Sequence, residues 1–121
     1  MNYIWEDENF YIQKHDSKLP WVKLFLKKDY KEISDIPFDL KMQMYGNLDI
    51  IEQSLLDFYN PDKINLASFG NILPKVHWHI IARFKDDPYF PNTTWQEPIR
   101  DFTLDLPPFE EFEKFLKERV S

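Results

Sequence analysis

Two histidines, His77 and His79, stand one residue apart in the run KVHWHIIARF, and Gly70-Asn71 lies just upstream. The chain holds only three histidines and two glycines, so the grouping is a local feature. On a strand, alternate side chains share a face. Lys75, His77, His79 and Ile81 then point one way, and Val76, Trp78, Ile80 and Ala82 the other. The second set is wholly apolar and belongs to the core, which leaves the first on an open face where a ligand can lie. Residues two apart on a strand have Cα atoms about 6.5–7 Å apart, so both imidazoles can reach one phosphate or one metal ion. Glycine permits a sharp turn and close backbone approach. Asn71 can donate and accept hydrogen bonds, and such a turn can offer backbone amides to an anion. With the positive charge of Lys75 and Arg83, these residues outline a site for a small phosphate.

Two other readings fit the same residues. Incidental surface histidines beside an ordinary turn are one. A metal-dependent enzyme using His77 and His79 as ligands is the other, since His-x-His on a strand is a common ligand arrangement that needs a third donor. A cupin-like pattern would place a glutamate shortly after the second histidine. Here Ile80, Ile81, Ala82 and Arg83 follow, and Asp86 and Asp87 lie beyond the expected end of the strand.

The elements that must position this strand are legible from periodicity. NFYIQKHD and WVKLFLKKD read as two strands of a hairpin, the second alternating Val22, Leu24 and Leu26 with Lys23, Phe25 and Lys27. Leu40, Met44, Leu48, Ile51, Leu55 and Phe58 recur at steps of three and four, the stripe of one long helix. Asp35 is placed to cap it, Pro37 suits its first turn and Asn60-Pro61 stops it. Gly46 falls inside this helix, at a cost of up to about 1 kcal/mol relative to alanine, and close approach of another element would explain it. KINLASF reads as a strand, GNILP as a loop and KVHWHIIARF as the histidine strand. The proline-rich stretch from Asp86 to Pro108 is expected to be irregular. Phe109, Phe112, Leu116 and Val120 then define a short C-terminal amphipathic helix behind Pro107 and Pro108. The expected fold class is α+β: an antiparallel sheet with one long helix packed on it and a short C-terminal helix, in a single domain over residues 1–121.

The chain has 121 residues, 43% of them hydrophobic and 17% aromatic, which is ample for one packed core. Its net charge of −6 repels a phosphate backbone, so no nucleic-acid partner is expected. With no cysteine, disulfides, thiolate catalysis and sulfur-ligated zinc are excluded. MNYIWEDENF is not the pattern of a signal peptide, and no apolar run approaches the roughly 20 residues that span a bilayer. A cytoplasmic location without membrane association is the expectation.

The stretch NLASFGNILPKVHWHIIARF resembles the histidine-triad (HIT) nucleotide hydrolases and transferases, whose signature is His-x-His-x-His on a strand preceded by a glycine-containing loop. His77 and His79 match the second and third histidines, and Gly70-Asn71 the family's Gly-Gln or Gly-Asn pair. Asn65 lies near an upstream asparagine that contacts ribose and phosphate. The following RFKDDPYFPNTTW is similar to a bacterial, diadenosine-polyphosphate-hydrolase-like branch in which a tryptophan, here Trp95, follows the histidine strand. The resemblance is sharp over residues 63–95, architectural over 9–60, and not specific over 100–121.

The resemblance implies that His77 attacks the α-phosphorus of a nucleotide, forming a nucleotidyl-histidine that water cleaves. A histidine of ordinary pKa is mostly neutral at pH 7 and able to act so. His79 and Asn71 would stabilise the nonbridging oxygens, with Asn65, Gly70 and Lys75 completing the nucleotide and phosphate contacts. No cofactor or metal is implied. The implied substrate is a purine nucleotide, a dinucleoside polyphosphate or a nucleoside phosphoramidate, and the implied assembly a homodimer. Two positions depart from the pattern. Lys75 replaces the first histidine, though its main-chain carbonyl can still orient His77. Ile72 stands where many members carry serine or threonine against the leaving group. A nucleotide-binding protein with weak or no turnover is therefore the alternative. His15, the third histidine, reads as a surface residue near a turn, and Trp95 either closes the site, across a dimer or otherwise, or packs in the core.

Overall fold

The computed structural model describes residues 2–102 and 104–121. Five strands form one sheet: β1 (Trp5–Glu6), β2 (Phe10–Lys14), β3 (Trp21–Leu26), β4 (Lys63–Ala67) and β5 (His77–Arg83). Their order is β1-β2-β3-β5-β4, with every pair antiparallel. Two helices, α1 (Phe38–Tyr59) and α2 (Phe109–Val120), complete the expected α+β architecture. Between Arg83 and Phe109 the described residues form neither helix nor strand, as their proline content requires; Thr103 lies outside the described residues. No helix among the described residues is long and apolar enough to cross a membrane.

α1 packs on the face that carries Trp78, Ile80 and Ala82. Met44, Leu48, Ile51 and Leu55 are buried there, and the Trp78 Nε1–H donates to Met44 Sδ (3.3 Å). Burying each such aliphatic side chain stabilises the fold by about 1.5–3 kcal/mol. α2 packs on α1 rather than on the sheet, through Phe112 and Phe115 against Phe58, and Arg119 pairs with Asp57 at 2.7 Å.

Several local expectations need correction. Asp35 does not cap α1. It ends a 3-10 turn (Ile33–Asp35), where its carboxylate accepts the Glu32 backbone N–H. Pro37 forces Ile36 to be extended, so the helix cannot reach back to Asp35; Pro37 itself is the N-cap, its carbonyl accepting Lys41 N–H. Asn60 does end the helix, in the left-handed conformation (φ 49°) with its N–H donated to Leu56 O. Gly46 meets no close neighbour: a Cβ there would find nothing within 4 Å. β1 is too short to leave a periodic signal. The histidine strand begins at His77, not Lys75, because ladder pairing starts at Phe25↔His77.

Candidate functional site

The antiparallel register places three strands' side chains on the face opposite α1. Trp21, Lys23 and Phe25 of β3 lie opposite Ile81, His79 and His77, and Asn65 and Ala67 of β4 flank Ile81 and His79. The expected alternation holds for His77, His79 and Ile81. Only half of that face is open, however. Arg83, expected to supply charge to a ligand, is 2% exposed and fully engaged. Its Nε and Nη2 donate to Asp87 (2.8 and 3.2 Å), its Nη1 to Asn65 Oδ1 (2.8 Å) and its Nη2 to Asn92 O (2.7 Å). These bonds tie the segment after β5 back to the sheet, and its residues Pro91, Asn92, Thr93 and Trp95 become one wall of a cavity.

That cavity has a volume of about 920 Å³. His77, His79, Asn65, Gly70 and Asn71 all line it, as does Trp95 of the same chain. Gly70 has φ +68°, the left-handed conformation that lets the loop turn beneath Asn71. Trp95 is 47% exposed and packs edge-on against His79, Trp21 and Phe69. It closes one side of the cavity from within its own chain. Ile72, 99% exposed, stands on the rim.

Lys75 does not reach the cavity. Its side chain stays on the histidine face but runs away from the cavity, over Phe25. Its N–H is donated to Leu73 O, and its ammonium pairs with Asp29 at 3.2 Å, over the Phe25 ring. Its carbonyl is nonetheless placed as expected, 2.9 Å from His77 Nδ1. A carbonyl only accepts, so Nδ1 of His77 carries the proton and Nε2 is a free lone pair. Phe25 stacks flat on the ring (5.0 Å, 6°), and Ser68 donates to the His77 carbonyl at 2.7 Å. The imidazole is fixed in plane and in tautomer.

His79 is held in the opposite tautomer. The Trp21 Nε1–H donates to its Nδ1 at 3.0 Å, so the His79 proton sits on Nε2. Burial pushes the His79 pKa down to about 4, helped by His77, His15 and Lys23, so the ring is neutral at pH 7. One strand thus presents a nucleophilic nitrogen and, two residues on, a neutral N–H donor. Asn65 is similarly oriented: Arg83 can only donate, so Asn65 turns its oxygen to Arg83 and keeps its NH₂ as a donor.

His15 is not an incidental surface residue. It is half-buried and stacks on Trp21 (3.9 Å, 24°), 5.9 Å from the His79 ring. Sequence reasoning also missed Trp21 and Phe25. The available signal was their alternation with Val22 and Leu24, which puts two large aromatics on the otherwise polar face of β3. No group of three or more His, Cys, Asp or Glu side chains that could hold a metal occurs among the described residues.

A family model described as the HIT domain matches residues 2–86. The chain belongs to the HIT family. Among solved structures it is similar to the histidine triad protein blr8122 from Bradyrhizobium japonicum, at 23% identity and a TM-score of 0.82, over 99% of this chain and 90% of that one. A histidine triad protein from Marinobacter aquaeolei VT8 (24%, 0.74) is covered over 98% of this chain and 85% of that one. A HIT protein from Sinorhizobium meliloti 1021 (25%, 0.74) is covered over 97% and 87%. A search of curated proteins finds no match. HIT proteins are generally nucleotide hydrolases or transferases, and membership carries a nucleotide-related function to this chain.

Proposed function

We propose that this HIT protein hydrolyses or transfers the α-phosphoryl group of a purine nucleotide derivative, such as a dinucleoside polyphosphate or a nucleoside phosphoramidate. His77 Nε2 attacks the α-phosphorus and expels the leaving group; water then cleaves the nucleotidyl-histidine. His79 donates its Nε2–H to a nonbridging oxygen, where charge develops in the transition state. Asn71 adds a donor, Asn65 offers its NH₂ to the nucleoside, and Gly70 brings the loop backbone close. The observation that carries this reading is the opposed pair of tautomers on one strand: a bare nitrogen and a neutral donor facing one cavity. In this reading the Lys75 ammonium, paired with Asp29 outside the cavity, takes no part. A cytoplasmic homodimer belongs to the same reading. β4 is an edge strand, and Leu66, Phe69, Ile72 and Leu73 are exposed on it and just beyond it, an edge that needs cover.

The test is covalent trapping. An activated adenylate should add one AMP to the native protein transiently, and His77→Ala should lose both the adduct and nearly all turnover. A His77→Ala variant with native rates would sink the mechanism. A native protein that binds AMP but cleaves no α-phosphate ester or amide would favour the binding-only alternative, for which exposed Ile72 at the expected leaving-group side is the specific observation. Sedimentation at the 14.8 kDa monomer mass at micromolar concentration would refute the dimer.

A further inference from the structure

We infer that Trp21 is a positioning residue for this site, its indole N–H holding His79 as a neutral Nε2–H donor aimed into the cavity. The inference rests on the reading of His79 as the phosphate donor, and adds the residue that sets its state. Trp21 opens β3 and is almost fully buried. A buried indole N–H needs an acceptor; here that acceptor is the ring of a cavity-lining histidine 58 positions away in sequence. Trp21 cannot turn aside. His15 stacks on one of its faces, and the edge of Trp95 abuts it at 5.2 Å.

The consequence follows from donor and acceptor chemistry. Protonating Nδ1 of His79 would set two N–H groups against each other at 3.0 Å, so the hydrogen bond disfavours the imidazolium. The other groups acting on His79 push the same way. His77 lies beside it on β5, His15 follows β2, and Lys23 is its direct partner on β3. An imidazolium beside the proposed nucleophile is thereby avoided, and His79 keeps its Nε2–H as a neutral donor.

The test combines nitrogen NMR of the free protein with kinetics. In the native protein, a coupling across the hydrogen bond should connect Trp21 Nε1 and His79 Nδ1, and Nδ1 should stay unprotonated down to about pH 5. Trp21→Phe keeps most of the ring packing and removes the N–H. In that variant His79 should titrate at clearly higher pH, though short of the ordinary value because burial, His77, His15 and Lys23 remain. Its kcat should fall about 10- to 100-fold, less than or near the loss from deleting an oxyanion donor, with KM changed less than about threefold. Absence of the coupling in the native protein, or a His79 titration in Trp21→Phe that overlays the native one, overturns the inference. The first measurement needs no variant and so does not depend on Trp21→Phe folding. An active His77→Ala variant alongside an intact coupling would refute the catalytic reading and leave the positioning in place.

Discussion

Asp87→Asn tests whether the buried Arg83–Asp87 pair holds the cavity wall onto the sheet. Asp87 is fully buried and accepts from Arg83 Nε and Nη2 and from the backbone N–H groups of Phe84, Tyr89 and Phe90, all at 2.8–3.2 Å. One oxygen takes Tyr89, Phe90 and Nη2; the other takes Nε and Phe84. Replacing either oxygen with an NH₂ therefore sets at least two donors against a donor. At about 1–3 kcal/mol for each unsatisfied group, the loss is about 2–6 kcal/mol. Breaking a buried ion pair gives a similar figure, about 3–5 kcal/mol. For a chain of this size that corresponds to a fall in Tm of about 10–20 °C. Denaturant unfolding should show the midpoint shift at constant slope. Adding Arg83→Met to Asp87→Asn should recover at least about 1 kcal/mol, because the stranded charge is gone. A loss below about 1 kcal/mol in Asp87→Asn would refute the reasoning.

The same residue predicts a pH dependence. Burial pushes the Asp87 carboxyl up, but the Arg83 hydrogen bond and the three backbone N–H groups outweigh it and hold the value below the ordinary one. Its contribution is then fully present above the unfolded value, near 3.9, and is lost as pH falls through the lower folded value. Native stability should drop more steeply than that of Asp87→Asn in that acid range.

Three further outcomes are expected. Gly46→Ala should stabilise the protein by up to about 1 kcal/mol in denaturant unfolding, since the site is exposed on α1 and a Cβ meets nothing within 4 Å; destabilisation would reveal a contact that the fold does not contain. Trp95→Ala should weaken nucleotide affinity by about 5- to 150-fold in calorimetry, as loss of one base–aromatic stack does, while its half-exposed ring makes the change in Tm small. Lys75→Ala should leave phosphate affinity and its salt dependence unchanged within about twofold, because the ammonium pairs with largely exposed Asp29, a contact worth about 0–1 kcal/mol; a marked loss of affinity would place that charge in the site after all.

The parts of the fold that were legible are those set by local sterics. The stripe from Leu40 to Phe58 gave α1, and the alternation of Val76, Trp78, Ile80 and Ala82 gave the packed face of the histidine strand, because both periods belong to the backbone itself. What failed at the site depended on side-chain contacts that periodicity does not report. Lys75 misses the cavity because its ammonium runs out over Phe25 to Asp29, and Arg83 is lost to ligands because Asp87 and Asn92 return to it. His15 looks like a turn residue until β3 brings Trp21 beneath it. The two tautomers divide in the same way. That of His77 is fixed by the carbonyl of Lys75, two residues away, a contact that survives any side chain at that position. That of His79 is fixed across 58 residues by the Trp21 indole N–H. On the proposed mechanism, lysine at position 75 therefore leaves the geometry of His77 untouched, and the more vulnerable half of the site is the His79 donor. An exchange at Trp21, far from the motif in sequence, should disturb it more than Lys75→His, which keeps the carbonyl and alters only a side chain that lies outside the cavity.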